Sequence, residues 1–288
     1  MKYSCLHTHT NFCDGKDSVE AMCQYAWERG FVSLGFSAHA PLPADFGPET
    51  DWHLHRDRLT AYVDAVQSAK QRWQGKLPVF LGLEVDYIRD VCGPSDGRFA
   101  NLGLDYLIGS VHYLIPDRLK PFTVDGSLEE LIHGIDGGYG GSVSRMVEAF
   151  WTVVEEMVRL QGFDILGHLD LIKKNNRDQA LFSPDQGFYT EGADRVIQSI
   201  DGKTMVVEVN TGGMNRGTVA EPYPAVDLIK KLRSRSIPMT INADAHRTEH
   251  LGGHYEEARA ALLRGGYEAI VLFGGKEGGL PRWEEEPL

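Results

Sequence analysis

The stretch Tyr3-Ser4-Cys5-Leu6-His7-Thr8-His9 is a short β-like run that ends in two imidazoles one residue apart. Side chains alternate along an extended segment, so His7 and His9 share a face and are ready to hold one ion. Asp14-Gly15 follows within the next turn. The same arrangement recurs downstream. Val32–Ser37 leads to His39, Val79–Leu83 to Glu84, Tyr106–Val111 to His112 and Phe163–Leu166 to His168. Pro238–Ile241 leads to Asp244 and His246, and Met205–Val209 and Ile270–Phe273 complete the set of candidate strands. Amphipathic stretches over 18–29, 59–73, 143–161, 185–200, 224–235 and 255–263 predict the intervening helices. Strands alternating with helices predict an α/β fold built on a parallel sheet.

The chain has 288 residues, room for one large α/β domain or two ordinary ones. No linker, repeat or low-complexity block divides it, so residues 1–288 read as one domain. Hydrophobic residues at 42% and charged residues at 24% describe a folded globular protein. Acidic residues outnumber basic ones 41 to 29, for a net charge of -12. That balance opposes binding to nucleic acid or to an anionic membrane. No apolar run approaches the roughly 18 residues that cross a bilayer, and the N-terminal residues lack a signal-peptide core. Cys5, Cys13, Cys23 and Cys92 form no CxxC pair, which predicts reduced thiols and a cytoplasmic protein. Two segments interrupt the alternation and read as long loops: 41–55, with Pro41, Pro43, Gly47 and Pro48, and 113–141, with Gly137-Gly138 and Gly140-Gly141. Neither the second loop nor Gly274-Gly275-Lys276-Glu277 carries the Gly-Lys-Ser/Thr of a phosphate-binding loop, and the latter reads as a turn.

Strand ends are where the chemistry gathers. In a barrel of parallel strands all carboxyl ends converge on one rim, so residues distant in sequence become neighbours. The candidates are six imidazoles, His7, His9, His39, His112, His168 and His246, and three carboxylates, Asp14, Glu84 and Asp244. This exceeds what one ion needs and suits two or three divalent metals. Their positive charge would outweigh the three carboxylates and attract a phosphate dianion to an acidic protein. His53 and His55 lie in the proline-rich loop, His133 in the second loop, and His250 and His254 flank a Gly-Gly pair. These are expected in solvent or one layer behind the ligands.

In order, the motifs are HxH, Asp-Gly, Ser-x-His-x-Pro, the strand-ending Glu84, Gly-Ser-Val-His, Gly-His-Leu-Asp, Glu-Val-Asn-Thr-x-Gly and Asp-Ala-His. This series resembles the polymerase and histidinol phosphatase (PHP) superfamily, specifically its monofunctional histidinol-phosphate phosphatases. The resemblance runs from residue 7 to 246. It implies a distorted (β/α)7 TIM-like barrel with three divalent metal ions, and zinc, manganese and iron all accept this ligand set. By resemblance one metal takes His7, His9, Glu84 and Asp244; a second shares Glu84 and adds His112 and His168; a third takes Asp14, His39 and His246. The family holds phosphate with basic residues, which points to Lys173, Arg145 and Arg216, with Asn210 as a neutral donor.

The resemblance implies hydrolysis of L-histidinol phosphate to L-histidinol and phosphate, in histidine biosynthesis. Coordination lowers the pKa of water, so attack on phosphorus needs no phosphoenzyme. Glu84, Asp244 and His246 are the candidate catalytic residues, and Asp45, Glu49 and Asp51 are candidate partners for the substrate amine. Another phosphate monoester, or a nucleotide phosphodiester, is the competing substrate on the same site. A non-catalytic module of the kind attached to DNA polymerases fits poorly, because the chain is acidic and carries every ligand position.

Overall fold

The computed structural model describes residues 1–46, 50–116 and 120–288. Gly47, Pro48 and Glu49 of the first long loop lie outside them, as do residues 117–119 of the second. Seven parallel strands form the central sheet: β1 (Ser4–Cys5), β2 (Ser33–His39), β3 (Val79–Asp86), β4 (Tyr106–Ser110), β7 (Ile165–Leu166), β8 (Val206–Asn210) and β9 (Met239–Asn242), neighbours in that order. A parallel bridge between Thr8 and Ala245 joins the two edges, with His9 N donating to Ala245 O at 2.8 Å and Ala245 N to His7 O at 3.1 Å. The sheet thus becomes a nearly closed barrel, the distorted (β/α)7 form.

Helices α1 (Val19–Glu28), α2 (Leu59–Arg72), α3 (Leu128–Tyr139), α4 (Val143–Leu160), α5 (Gly187–Ile200), α6 (Gly212–Asn215), α7 (Val226–Ser234) and α8 (Tyr255–Arg264) complete the α elements. Ser18 caps α1, its Oγ accepting from Ala21 N at 3.2 Å, which satisfies one of the free amides of the first turn. Alternation sorts the strand residues. Leu34, Phe36 and Ala38 of β2 and Leu81, Leu83 and Val85 of β3 join the main apolar core with Met22 and Ala26 of α1 and Tyr62 and Val66 of α2. On the other side, Leu6, Tyr106, Ile108, Ile165 and Val206 form the barrel floor, packed with Phe273 and Trp283. Gly82 makes room for this floor, since a Cβ there would stand 2.6 Å from the Tyr106 ring.

Three sequence expectations need correction. Ile270–Phe273 is not another barrel strand. It belongs to β10 (Ala269–Glu277), which pairs antiparallel with β11 (Leu280–Pro287). Gly274 to Glu277 lies within β10, at a register irregularity, and the turn falls at Gly278-Gly279, both with positive φ. Segment 113–141 is not a structureless loop either: β5 (Tyr113–Leu114) pairs with β6 (Phe122–Thr123), and α3 follows. The glycines read as helix breakers, but Gly134 lets α3 approach the Phe122 ring, where a Cβ would stand 2.5 Å from Cε2. Gly140 ends the helix in the left-handed conformation. Among the described residues, no helix is long and apolar enough to cross a membrane.

Candidate metal centre

The first strand stops at Cys5 and the chain bends at Leu6. The bend breaks strict alternation, so Leu6 packs into the barrel floor while its neighbour His7 also reaches the interior at the rim. Around Glu84, at the carboxyl end of β3, five of the candidate imidazoles gather. Oε2 lies 2.9 Å from His39 Nδ1, 3.1 Å from His7 Nε2 and 3.5 Å from His9 Nε2. Oε1 lies 2.9 Å from His168 Nε2 and 3.6 Å from His112 Nε2, and accepts from Ser110 Oγ at 2.7 Å. Across the closing seam, Asp244 Oδ1 stands 3.3 Å from His9 Nε2 and 3.8 Å from His7 Nε2. His246 Nε2 meets Asp14 Oδ2 at 3.0 Å.

These side chains fall into four overlapping groups whose potential ligand atoms lie within 4.8 Å of one another: His9, Asp14, His39 and His246; His7, Glu84 and His168; His7, His9 and Asp244; His39, Glu84 and His112. His7, His9 and Glu84 are at most 1% exposed. Even so, His7 Nε2, His9 Nε2, His39 Nδ1, Asp14 Oδ1 and Glu84 Oε2 have no hydrogen-bond partner among the described residues. Buried lone pairs cost free energy unless something satisfies them. Five orphaned atoms aimed at one space, all nitrogen or carboxylate oxygen, match the donor set of zinc and similar divalent ions.

A second layer orients the imidazoles. Glu208, fully buried on β8, holds His7 Nδ1 at 3.0 Å and accepts from His168 N, Asn210 Nδ2 and Asn242 Nδ2. Asp86, two residues beyond Glu84, faces His112 Nδ1 at 2.8 Å and His53 Nε2 at 3.0 Å. Such carboxylates hold a ring in place and keep its other nitrogen available to a metal. Sequence reading did not single out either acid as an orienting group. The signal was a charge inside an otherwise apolar strand, at Val206-Val207-Glu208-Val209 and again at Glu84-Val85-Asp86.

In the metal-free chain the charges are strongly coupled. Burial and the neighbouring His246 and His39 hold His9 down to about 3. Burial also opposes charging of His112, but Asp86 and Glu84 overcome it and push that imidazole up to about 10. His7 is likewise raised against burial, by Glu208, Glu84 and Asp244. Burial disfavours the Glu84 carboxylate, yet His7, His39 and His112 hold it well below the usual range.

The centre opens into a cavity of about 260 Å³, whose wall includes Trp52, Leu171, Asp125, Lys174 and Arg216. Arg216 Nη2 pairs with Asp244 Oδ2 at 3.0 Å, and Lys174 Nζ with Asp125 Oδ2 at 3.0 Å. The other expected phosphate contacts lie elsewhere. Lys173 is turned away to Asp170 Oδ2, Glu221 Oε1 and Pro222 O, on the wall of a separate cavity of about 860 Å³ that contains no imidazole. Two lysines in sequence cannot both face one side of the helical turn at Leu171–Lys173, and Lys174 takes the inward position. Arg145 is exposed in the first turn of α4, away from the cavity. Asn210 is buried and committed to Glu208 and Gly212 N. Asp45 and Asp51 are exposed and line no part of the cavity, while Glu49 lies outside the described residues. His53 is buried behind the ligands, as expected of an outer layer, whereas His254 is exposed.

Comparisons with known proteins agree with this geometry. A "Probable histidinol-phosphatase" of Deinococcus radiodurans is 31% identical over 258 residues, covering 88% of this chain and 89% of that one. The histidinol-phosphatase of Bacillus subtilis is 26% identical over 264 residues, covering 87% and 96%. The histidinol phosphate phosphatase of Lactococcus lactis, crystallised with zinc, L-histidinol and phosphate, shares the fold with a TM-score of 0.67 at 18% identity, covering 94% of this chain and 96% of that one. A Listeria monocytogenes crystal structure superposes with a TM-score of 0.74 at 21% identity, covering 88% and 98%. The PHP domain family profile matches residues 6–212, most of the barrel and seven of the nine rim ligand candidates. With that match and the Deinococcus relationship together, the chain belongs to the PHP domain family.

Proposed function

We propose that this chain is a metal-dependent phosphomonoesterase that hydrolyses L-histidinol phosphate to L-histidinol and phosphate, a step of histidine biosynthesis. The observation that carries the reading is the ring of orphaned, buried nitrogen and carboxylate atoms around Glu84, opening into a small cavity beside two cations. Near-full-length relationship to histidinol-phosphatases supports the substrate. The cavity volume of about 260 Å³ also favours a small ester over a polymer.

Three ions are proposed. His7, His9, Glu84 and Asp244 hold the first; Glu84, His112 and His168 the second; Asp14, His39 and His246 the third. The overlapping groups support the third set, with His9 added, and His7, His9 and Asp244 of the first; they divide the second, grouping His168 with His7 and Glu84, and His112 with His39 and Glu84. Zinc is favoured by the Lactococcus structure. When bound, divalent ions polarise phosphoryl oxygens and make a water acidic enough to serve as nucleophile near neutral pH.

The chain's own groups supply the rest. Glu208, Asp86 and the cavity-wall Asp125 bring three more carboxylates than the three counted at the rim, so the ions alone leave little positive charge for the substrate. Lys174 and Arg216 make up the difference as the phosphate-holding pair. Arg216 offers a planar fork for two phosphoryl oxygens and Lys174 a point charge. Asp244 and His246, at the seam beside Arg216, serve catalysis by holding the ions, because a metal-bound side chain is a poor free base. Residues 1–288 act as one catalytic domain, with a small phosphate ester rather than nucleic acid or membrane as partner. The four unpaired cysteines support a reducing, cytoplasmic setting.

The test is phosphate release from zinc- or manganese-loaded protein with histidinol phosphate, other phosphate monoesters and a phosphodiester. We expect kcat/KM for histidinol phosphate to exceed the rest by about 100-fold, as two hydrogen bonds of roughly 1.4 kcal/mol each to the leaving group would give. Equal turnover across the panel overturns the substrate assignment.

A further inference from the structure

One chain of hydrogen bonds runs from the first long loop into the metal pocket. Thr50 Oγ1 lies 2.6 Å from His53 Nδ1, His53 Nε2 lies 3.0 Å from Asp86 Oδ2, and Asp86 Oδ1 lies 2.8 Å from His112 Nδ1. His53, Asp86 and His112 are each at most 4% exposed, so water does not compete for these links. The direction of the chain is determined at Asp86, whose carboxylate only accepts, so His53 Nε2 must donate to it. Thr50 Oγ1 accepts from His53 N at 3.3 Å and has its own proton for His53 Nδ1. Nδ1 is then an acceptor, and the neutral ring carries its proton on Nε2, where it donates to Asp86. The other Asp86 oxygen takes Nδ1–H of His112. The lone pair of His112 Nε2 is thereby left for the pocket, on the side of Glu84 Oε1 at 3.6 Å.

The same residues anchor the loop. Leu54 N donates to His39 O at 3.0 Å. The Trp52 ring packs against His53 at 3.7 Å between centroids and meets His39 and His112 edge-on at 4.8 and 5.4 Å. We propose that His53 is a positioning residue: through Asp86 it sets the tautomer and orientation of His112, and it pins residues 50–54, with Trp52, at the pocket mouth. The inference rests on reading His112 as a metal ligand and adds the outer device that makes it one.

The test is zinc binding measured by competition with a chromogenic chelator, which needs no substrate. His53→Phe keeps the bulk and removes the donor, whereas His53→Gln keeps an N–H near the position of Nε2. Loss of a ligand's direct partner, here Asp86, lowers metal affinity roughly 10–100-fold, and His53, which acts through it, falls at the lower end of that range. We expect a loss of that size for one zinc equivalent in His53→Phe, recovery of most of it in His53→Gln, and restoration of most of the kcat of His53→Phe by excess zinc. Wild-type competition by folded His53→Phe overturns the proposal, as does equal loss in both variants. If His53→Phe does not fold, Thr50→Val decides: it removes the hydroxyl bonded to both His53 Nδ1 and His53 N and so loosens the ring against Asp86, and weakened zinc binding supports the proposal while unchanged binding overturns it. A protein that shows this zinc pattern but leaves histidinol phosphate intact keeps the inference and overturns the substrate assignment instead.

Discussion

His39 and Glu84 are register partners on adjacent parallel strands, and their side chains bring Nδ1 to 2.9 Å from Oε2. Neither atom has hydrogen-bond geometry with any partner among the described residues, and His7 Nε2 and His9 Nε2 crowd the same oxygen in the same unsatisfied state. Glu84→Ala is therefore expected to lose metal and activity together. The loss in kcat/KM should exceed the roughly 100-fold cost of an outer-shell change. Elemental analysis after gel filtration, paired with phosphate release, checks it; full turnover would remove Glu84 from the site.

The two adjacent lysines should separate cleanly. Lys174 lines the cavity, so Lys174→Ala is expected to raise KM for phosphate esters about 10-fold or more, with kcat less affected. Lys173 is paired with Asp170, whose side chain is fully buried. Lys173→Ala removes the cation and leaves that carboxyl with Ala225 N and Tyr189 Oη as donors, and should cost about 1–3 kcal/mol of stability, with KM near wild type. Steady-state kinetics and chemical denaturation on both variants decide the matter.

Protons stand in for cations when metal is stripped. His112 is raised to about 10 from an unfolded value of 6.5, and His7 is raised too. Both contribute stability in full below pH 6.5; that of His112 disappears as pH climbs through 10, and that of His7 is lost likewise as its raised pKa is passed. His9 works the opposite way: held down to about 3, it removes stability as pH falls below 6.5. The Tm of EDTA-treated protein should therefore decline from pH 7 to 10. Metal-loaded protein should hold its Tm across that window, and zinc uptake near pH 7.5 should release protons to an indicator dye. A flat EDTA profile would contradict the coupling.

Gly82→Ala is expected to destabilise the barrel without touching a ligand. The new Cβ would stand 2.6 Å from the Tyr106 ring, whose hydroxyl donates to Leu6 O across the interior. Overpacking of this kind costs about 1–3 kcal/mol. Thermal melts with and without zinc read it, and a Tm equal to wild type would mean that the ring moves aside freely.

Much of the barrel was legible because each rim residue terminates an apolar run, so strand and ligand candidate announce one another, as at Leu81-Gly82-Leu83-Glu84. Glu208 and Asp86 were harder. Their work depends on His7, 201 residues from Glu208, and on His112, and no local pattern gives a cross-strand partner. Lys173 and Lys174 are indistinguishable until the helical turn at Leu171–Lys173 orients them. Arg145 was a charge at a helix start, where solvent exposure is the ordinary outcome. Segment 128–139 misled because glycine lowers helix propensity, whereas packing of Gly134 on Phe122 reverses that preference in the folded chain.

The seam between Thr8 and Ala245 joins segments 237 residues apart, and the groups containing Asp244 and His246 exist only once it shuts. The group of His7, Glu84 and His168 needs no residue of the last βα unit, whereas the group of His9, Asp14, His39 and His246 does. Ion binding at the groups that include Asp244 or His246 is thereby linked to the shutting of the seam, so that whatever holds the two edges together strengthens binding there and a bound ion in turn holds the edges together.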